Sequence, residues 1–265
     1  SDMFTAKGLI AAGRALQDQD VIRSGASYFR AVSDAIEAEQ FTSDQEPLNP
    51  RNPTPDRPGR RAHGPAMISL GGVPLMLQTG DHAFWIERGS RIINRILDRH
   101  VNRERFPELY PWDFVEFVDA DGVPWEEEGQ IVCDPGHGLE FTGLTSKLLL
   151  AAQEQNLQSP LLRETSERCR KSLAPLLVHL FRTGFCERGE GIYKTIDLKS
   201  RRPLNSELPW WNLPETIRAS VLLERLFPDA ASEEVAQITQ KSHRCFVGRF
   251  LNPSCHRLPY QVRNE

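Results

Sequence analysis

Apolar residues recur at helical spacing along most of this 265-residue chain, and the helical stretches come in pairs. In the first stretch, residues 4–17, the spacing places Phe4, Leu9, Ala12 and Leu16 on one face, and residues 20–39 follow as its partner. Further pairs are predicted at 65–78 and 82–101, at 138–155 and 159–184, and at 214–227 and 232–251. The pattern predicts an all-α fold of eight helices in four antiparallel hairpins.

Three segments between these helices have a different character. Residues 114–118 alternate like a strand before a turn signal at Asp121-Gly122, and residues 191–204 resemble a second short β-hairpin. Residues 42–61 contain five prolines and are predicted to form a long loop. Periodicity alone leaves open a solenoid or a toroid of paired helices. Inserts gathered at one end of a toroid would build a pocket there.

Composition excludes several classes of partner. The formal net charge of -4 and the pI near 6.0 argue against nucleic acid, whose binding proteins usually carry a basic face. No apolar run approaches the roughly 20 residues that span a bilayer, so no membrane helix is expected. Ser1 opens the sequence without an initiator Met or a signal peptide. The chain is therefore expected to begin after a cleavage or within a longer protein.

The cysteines form no CxxC pair, which argues against a zinc ribbon or a redox motif. They are Cys133, Cys169, Cys186, Cys245 and Cys255. His243, Cys245, Cys255 and His256 lie near one another, but their spacing fits no common zinc pattern. We therefore expect reduced, mostly buried thiols in a cytoplasmic protein, and neither a metal nor a cofactor.

The stretch CDPGHGLEFTGLTSKLLLAAQ, residues 133–153, places an imidazole and a carboxylate at the start of a buried helix. His137 and Glu140 are three residues apart and share one helix face. The unpaired N–H groups and the dipole at a helix start favour the neutral, basic imidazole. Gly136 and Gly138 permit a sharp turn and a close approach of substrate. On these residues alone, a capping role for His137 remains the alternative.

Several motifs together resemble the N-acylglucosamine 2-epimerase family, also called the renin-binding proteins. DPGHGLEFTGLTSKLLLAA resembles the PGHxxE helix start of that family, and LPWWNLPETIRASVLL resembles its Trp-Trp signature followed by Glu. EFVDADGVPW and residues 1–29 resemble the preceding hairpin and a helix pair of the barrel's first half. The resemblance implies an (α/α)6 barrel of twelve helices. This chain would supply about eight, as a partial toroid domain over residues 1–265. An eight-helix arc exposes apolar edges, so an excerpt of a longer chain or a homodimer is expected.

The resemblance also implies the site. Its catalytic residues would be His137 and Glu140, and its sugar-contacting residues would be Glu116, Trp210, Trp211, Glu215 and His63. One of the two tryptophans is expected to belong to the core, and a solvated loop position is an equal alternative for His63. Phe141 stands where an inverted zincin motif has its second His, which argues against a metal at His137.

The implied reaction is the interconversion of N-acylglucosamine- and N-acylmannosamine-type sugars by removal and return of the C2 proton. A histidine tuned near neutral pH suits that proton transfer. The family's second catalytic histidine follows the last hairpin, and His256 does not lie in a matching context. Two alternatives therefore stay open: an aldose–ketose isomerase on the same scaffold, and a non-catalytic helical module for binding or dimerisation.

Overall fold

The computed structural model describes residues 2–40, 59–251, 254, 259 and 261–263. Most of the predicted proline-rich loop lies outside these ranges, as do Cys255 and His256. In the described ranges every predicted helix is present. The helices are α1 (Asp2–Leu16), α2 (Gln19–Glu37), α3 (Gly64–Met76), α4 (His82–Arg99), α5 (Pro135–Glu154), α6 (Pro160–Gly184), α7 (Asn212–Leu226) and α8 (Glu233–Cys245), the last continued by a π-helical turn at Phe246–Phe250.

The helices form two concentric rows. Each odd-numbered helix packs against the even-numbered helix that follows it, and successive odd-numbered helices also pack side by side. Helix α5 lies in the middle of the inner row, between α3 and α7, and most of its residues are buried. The outer helices α4, α6 and α8 follow one another behind it. This arrangement confirms the prediction of an incomplete (α/α)6 barrel with short β inserts.

Ten short strands connect these helices within the described residues. They are β1 (Arg61–Ala62), β2 (Phe117–Val118), β3 (Glu126–Glu127), β4 (Gln130–Cys133), β5 (Phe185–Cys186), β6 (Gly191–Ile192), β7 (Thr195–Asp197), β8 (Arg202–Asn205), β9 (Leu208–Pro209) and β10 (Val262–Arg263). All pairs are antiparallel, in the orders β1-β2, β3-β4-β7-β8, β5-β6 and β9-β10. The hairpin predicted at residues 191–204 is β7-β8. The one predicted near Asp121-Gly122 is a turn that lets Val118 bridge Pro124.

The strands bring the starts of three inner helices to one end of the arc. Strand β1 ends two residues before α3, β4 ends two residues before α5, and β9 ends three residues before α7. Strand β2 pairs with β1, so the insert that contains Glu116 lies at this same end. The local order of strand, cap and helix therefore fixes where any site at the helix starts must lie.

The apolar spacing in α1 does not mark the face that the structure buries. Phe4 is 58% exposed and Leu16 is 75% exposed, whereas Ala6 and Ile10 are buried. The cause is a close crossing with α2, because a Cβ on Gly13 would lie 2.8 Å from the backbone nitrogen of Ile22. The face with Met3, Ala6, Ile10 and Gly13 therefore packs inward, because Gly13 permits the close approach of α2, and Phe4 and Leu16 stay on the outside.

The predicted burial of the cysteines is confirmed for the described residues, where four free cysteines are all buried. They are Cys133, Cys169, Cys186 and Cys245. Burial raises the pKa of the Cys169 thiol to about 12, so this thiol stays protonated and unreactive at neutral pH. Among the described helices, none combines the length and the apolarity that crossing a membrane requires.

Candidate active site

The candidate site lies where α3, α5 and α7 begin. His63 precedes the first residue of α3, His137 lies in the first turn of α5, and Trp211 precedes the first residue of α7. The starts of α5 and α7 touch, since a Cβ on Gly136 would lie 2.1 Å from Oδ1 of Asn212. The inner helices thus converge on one cluster of side chains.

The contact between Gly136 and Asn212 allows the packing of α5 against α7 to be tested. We expect Gly136→Ala to destabilise the protein by about 1–3 kcal/mol, the usual cost of overpacking a filled core. Asn212 is fully buried and its Nδ2 donates to the Ile192 carbonyl at 3.1 Å, so it has little room to move. Gly8→Ala is the matched control: no atom lies within 4 Å of the new methyl, and helix propensity should favour alanine. Equal urea midpoints for the two variants would contradict the close approach.

A buried carboxylate joins two imidazoles at the centre of the cluster. Oε2 of Glu116 lies 3.0 Å from Nε2 of His63, and its Oε1 lies 3.1 Å from Nδ1 of His137. The backbone N–H of Glu116 donates to the Val132 carbonyl at 2.8 Å, which ties the insert to β4. The carboxylate is therefore held from the backbone as well as through its side chain.

The charge of this carboxylate fixes the tautomers around it. Burial by itself would raise the pKa of Glu116, but His137 and His63 outweigh it and hold the pKa well below the usual range. An ionised carboxylate can only accept hydrogen bonds. His63 must then donate from Nε2 and His137 from Nδ1. The other ring nitrogen of His137, Nε2, is therefore the one that can exchange a proton with a substrate.

Asp134 adds a second negative charge beside His137. As the N-cap of α5, its Oδ1 accepts the backbone N–H of His137 at 3.2 Å, and its Oδ2 lies 3.5 Å from Nδ1 of the same residue. The ammonium of Lys194 donates to Oδ2 of Asp134 at 2.5 Å. His137 is therefore flanked by two carboxylates, one of which is shared with a lysine.

These carboxylates decide the resting charge of His137. Desolvation lowers its pKa, but Asp134 and Glu116 together outweigh desolvation and raise the pKa to about 9. The partial positive charge at the helix start favours a neutral imidazole, as the sequence predicted. The full negative charges of the two carboxylates outweigh it. At neutral pH the resting form of His137 is consequently the imidazolium, contrary to the prediction.

One of the two tryptophans contacts the cluster. The ring of Trp211 stacks on His137 with centroids 5.7 Å apart, and Nζ of Lys194 lies 5.5 Å from the centre of the Trp211 ring. Trp210 instead packs near Phe246 and donates from Nε1 to Oε1 of Gln261 at 3.2 Å. The structure places Trp211 beside the imidazole and Trp210 against the outer layer.

Glu140 and Glu215 lie one turn below the imidazoles, on α5 and α7. Glu140 acts electrostatically on both Glu215 and Lys7 of α1, so three inner helices contribute to this level. Desolvation raises the pKa of Glu215 to about 7, although Arg218, its ion-pair partner, opposes the rise. The structure therefore brings together His137, His63 and Glu116, with Glu140 and Glu215 beneath them.

Sequence reasoning missed His100, Asp134 and Lys194. His100, to which the sequence assigns no role, is buried against His63 with ring centroids 5.2 Å apart. Desolvation lowers the pKa of His100 to about 3, so it is neutral and donates from Nδ1 to the Val115 carbonyl at 2.8 Å. An Asp before Pro-Gly at a helix start was a capping signal for Asp134. No local pattern indicated Lys194, which comes from the β6–β7 connection.

His63, Glu116 and His137 could also hold a metal ion, because each offers a ligand atom within 4.8 Å of the others. In the structure, however, the carboxylate already accepts from both imidazoles, so a metal would have to displace both hydrogen bonds. We therefore expect prolonged dialysis against EDTA to leave activity unchanged. Activity lost in EDTA and restored by Zn²⁺ or Mn²⁺ would instead assign these residues to a metal centre.

Comparison with known proteins identifies the family. The model of the N-acylglucosamine 2-epimerase (GlcNAc 2-epimerase) family matches residues 9–254. The chain belongs to this family. Both motif regions that carry the resemblance, around His137 and around Trp211, fall inside the matched range. No curated protein matches the chain by sequence.

Solved structures show the same fold at low sequence identity. A sugar epimerase from a ruminal bacterium is 11% identical with a TM-score of 0.67, and the match covers 99% of this chain and 65% of that one. Cellobiose 2-epimerase from Bacillus thermoamylovorans is 9% identical with a TM-score of 0.70, covering 99% and 63%. A D-mannose isomerase is 12% identical with a TM-score of 0.65, covering 100% and 65%. This member of the GlcNAc 2-epimerase family thus spans slightly less than two thirds of those chains.

Proposed function

We propose that the protein moves a proton at C2 of a sugar and thereby epimerises or isomerises it. The observation that carries this proposal is the environment of His137: an accessible imidazole at a helix start, held through Nδ1 by a buried carboxylate. Its side chain is 18% exposed, whereas that of His63 is 0% exposed. His137 is therefore the imidazole that can reach a substrate at this end of the arc.

The arrangement suits removal of a proton next to a carbonyl. In its neutral form, His137 takes the C2 proton of the open-chain aldose on Nε2, while Nδ1–H donates to Glu116. The ionised carboxylate stabilises the imidazolium that results, which makes His137 a stronger base than a free imidazole. The same imidazolium then delivers the proton to C1, which gives the ketose, whereas epimerisation requires a second group that protonates C2 from its opposite face. The pKa of His137 near 9 makes the protonated form the resting one.

The remaining residues have supporting roles in this proposal. Trp211 offers its ring to the C–H face of the sugar, beside the imidazole it stacks on. Glu140 and Glu215 accept sugar hydroxyls, and Glu140 also shares the face of His137 on α5. His63 acts through Glu116 and does not itself contact the sugar. Trp210 packs near Phe246 in the outer layer and makes no sugar contact in this proposal.

The finer proposal is that the substrates are N-acylglucosamine- and N-acylmannosamine-type sugars. The family match supports it. The similar structures are a sugar epimerase, a cellobiose 2-epimerase and a mannose isomerase, so the fold alone does not favour an N-acyl substrate. A direct comparison of N-acetylmannosamine with mannose as substrates tests this finer step.

Aldose–ketose isomerisation is the second candidate, and one observation favours it. Epimerisation by two bases needs a proton donor on each face of C2, whereas isomerisation needs one group that moves a proton from C2 to C1. Among the described residues, one imidazole of the cluster is accessible and the other is enclosed. The part of the chain described here therefore already suffices for the one-base reaction.

Incubation with candidate sugars in heavy water separates these reactions. Deuterium at C2 of an epimeric aldose product supports the epimerase, and a ketose product supports the isomerase. Sugar binding without any exchange would overturn both and leave a non-catalytic binding module. NMR of the products reports the position of the deuterium, and a mass spectrum reports its amount.

A further inference from the structure

A stripe of solvent-accessible side chains runs along the otherwise buried helix α5. His137 and Glu140 are partly exposed and Lys147 is exposed, while Leu144 between them is nearly buried. The positions 137, 140, 144 and 147 follow helical spacing, so they lie on one face. Ten residues of helix rise about 15 Å, so the stripe leads from the imidazole cluster deep along the inner face.

Two other inner helices carry cationic side chains that reach the same face. Nζ of Lys7, on α1, lies 3.6 Å from where a Cβ on Gly71 of α3 would be. Nε of Arg218, on α7, lies 3.2 Å from the corresponding point on Gly143 of α5. The two glycines therefore leave space that the cationic side chains occupy. We call the surface formed by Lys7, Glu140, Lys147, Glu215 and Arg218 the inner charged trough.

Positive charge exceeds negative charge in the trough. It contains three cations and two carboxylates, and Glu215 carries less than a full charge because desolvation raises its pKa to about 7. Arg218 forms an ion pair with Glu215 through its Nη2, but its buried Nε has no hydrogen-bonded partner among the described residues. A buried donor without a partner is costly, so a ligand that accepts from Nε would be favoured.

The cations of the trough lie close enough to act on one another. Lys147 is exposed to solvent, yet desolvation and the nearby Arg218 lower its pKa. Desolvation likewise lowers the pKa of Lys7, with Lys147 and Arg218 contributing to the shift. The three cations therefore repel one another across a shared space, and an anion in that space would relieve the repulsion.

We infer that the inner charged trough binds the anionic group, phosphate or carboxylate, of a sugar whose C2 lies at His137. The inference rests on the proposed function for its position, because Arg218 lies seven residues beyond Trp211, or about 10 Å along the helix. A hexose with a terminal phosphate or carboxylate is shorter than this separation, and the long side chain of Arg218 has to span the remainder. The substrate class is then an acidic sugar rather than a neutral one.

Inorganic phosphate tests the subsite without any catalysis. We expect calorimetry to show phosphate binding to the wild-type protein, and binding roughly tenfold or more weaker to Lys147→Met, which removes one charged contact. Lys171→Met is the matched control, because Lys171 is an exposed lysine on the outer helix α6. Equal phosphate binding by both variants, or none by the wild type, would overturn the inference.

Substrate competition tests the link to chemistry. We expect exchange at C2 of N-acetylglucosamine 6-phosphate or of glucuronate to exceed that of N-acetylglucosamine by more than tenfold in kcat/KM. The preferred acid distinguishes the phosphate from the carboxylate. A preference for the neutral sugar, or an acid preference unchanged in Lys147→Met, would contradict the subsite. If no sugar exchanges while phosphate still binds through Lys147, the proposed function fails and the anion site stands.

Discussion

The variant His137→Ala is expected to exchange the C2 proton of its sugar substrate about a hundredfold to ten-thousandfold more slowly than the wild type. The physical reason is that the accessible imidazole supplies the transferred proton, while Glu116 and Asp134 only tune its pKa. Because neither carboxylate stacks against Trp211 as the imidazole does, neither is positioned to replace it. Deuterium uptake at C2, followed by NMR, measures the effect.

Two further variants keep this result interpretable. His137→Asn retains an amide N–H that can donate to Glu116 as Nδ1 does, but it lacks the second nitrogen, so we expect the same loss of exchange with the helical content preserved. His82→Ala removes an exposed histidine from the first residue of α4 and should exchange at the wild-type rate. Undiminished exchange in the properly folded His137→Asn would refute the catalytic role.

Much of the fold could be predicted because its signals are local. Periodicity located all eight helices, and turn residues such as Asp121-Gly122 located the inserts. The starts of α3, α5 and α7 carry most of the candidate residues, and each start has a sequence pattern of its own. That the three starts meet follows from the parallel course of neighbouring inner helices, which the family resemblance implied.

The rest depends on contacts between distant residues. The hydrogen bond between His63 and Glu116 joins positions 53 residues apart, and no local pattern specifies it. The resting charge of His137 depends on the summed effect of Glu116 and Asp134, and sequence reasoning weighed only the helix dipole. The spacing of apolar residues in α1 does not identify its buried face, because close packing at Gly13 helps to select it.

The variant Glu116→Gln is expected to change both stability and the pH dependence of activity. An amide of the same shape carries no charge to balance the His137 imidazolium, and removing one partner of a buried ion pair costs up to about 3–5 kcal/mol. His137 then retains Asp134 as its remaining carboxylate, so its pKa should fall below the present value of about 9. Glu108→Gln, on an exposed part of the same insert, is the control and should change neither property.

The activity profile should move in a definite direction. If neutral His137 takes the C2 proton, wild-type kcat/KM rises with pH and levels off above pH 9, since about 1% of the imidazole is neutral at pH 7 and about half at pH 9. In Glu116→Gln this rise should shift to lower pH, with a smaller maximum because the imidazolium formed in the transition state loses its partner. If the rise of kcat/KM with pH occurs at the same pH in Glu116→Gln as in the wild type, His137 is not the titrating group.

The pH dependence of the free energy of unfolding provides an independent test of the charge on His137. The folded pKa of His137 is raised from 6.5 to about 9, so its contribution is fully present below pH 6.5 and is lost as the pH rises to 9, by at most about 3 kcal/mol. Desolvation lowers the pKa of His100 to about 3, so its contribution is present above pH 6.5 and is lost as the pH falls. Wild-type stability should therefore decline on both sides of pH 6.5.

In Glu116→Gln the alkaline decline should shrink while the acid decline due to His100 remains, and urea unfolding at pH 5, 7 and 9 distinguishes the two. An alkaline decline of full size in the variant would mean that Glu116 does not hold the proton on His137.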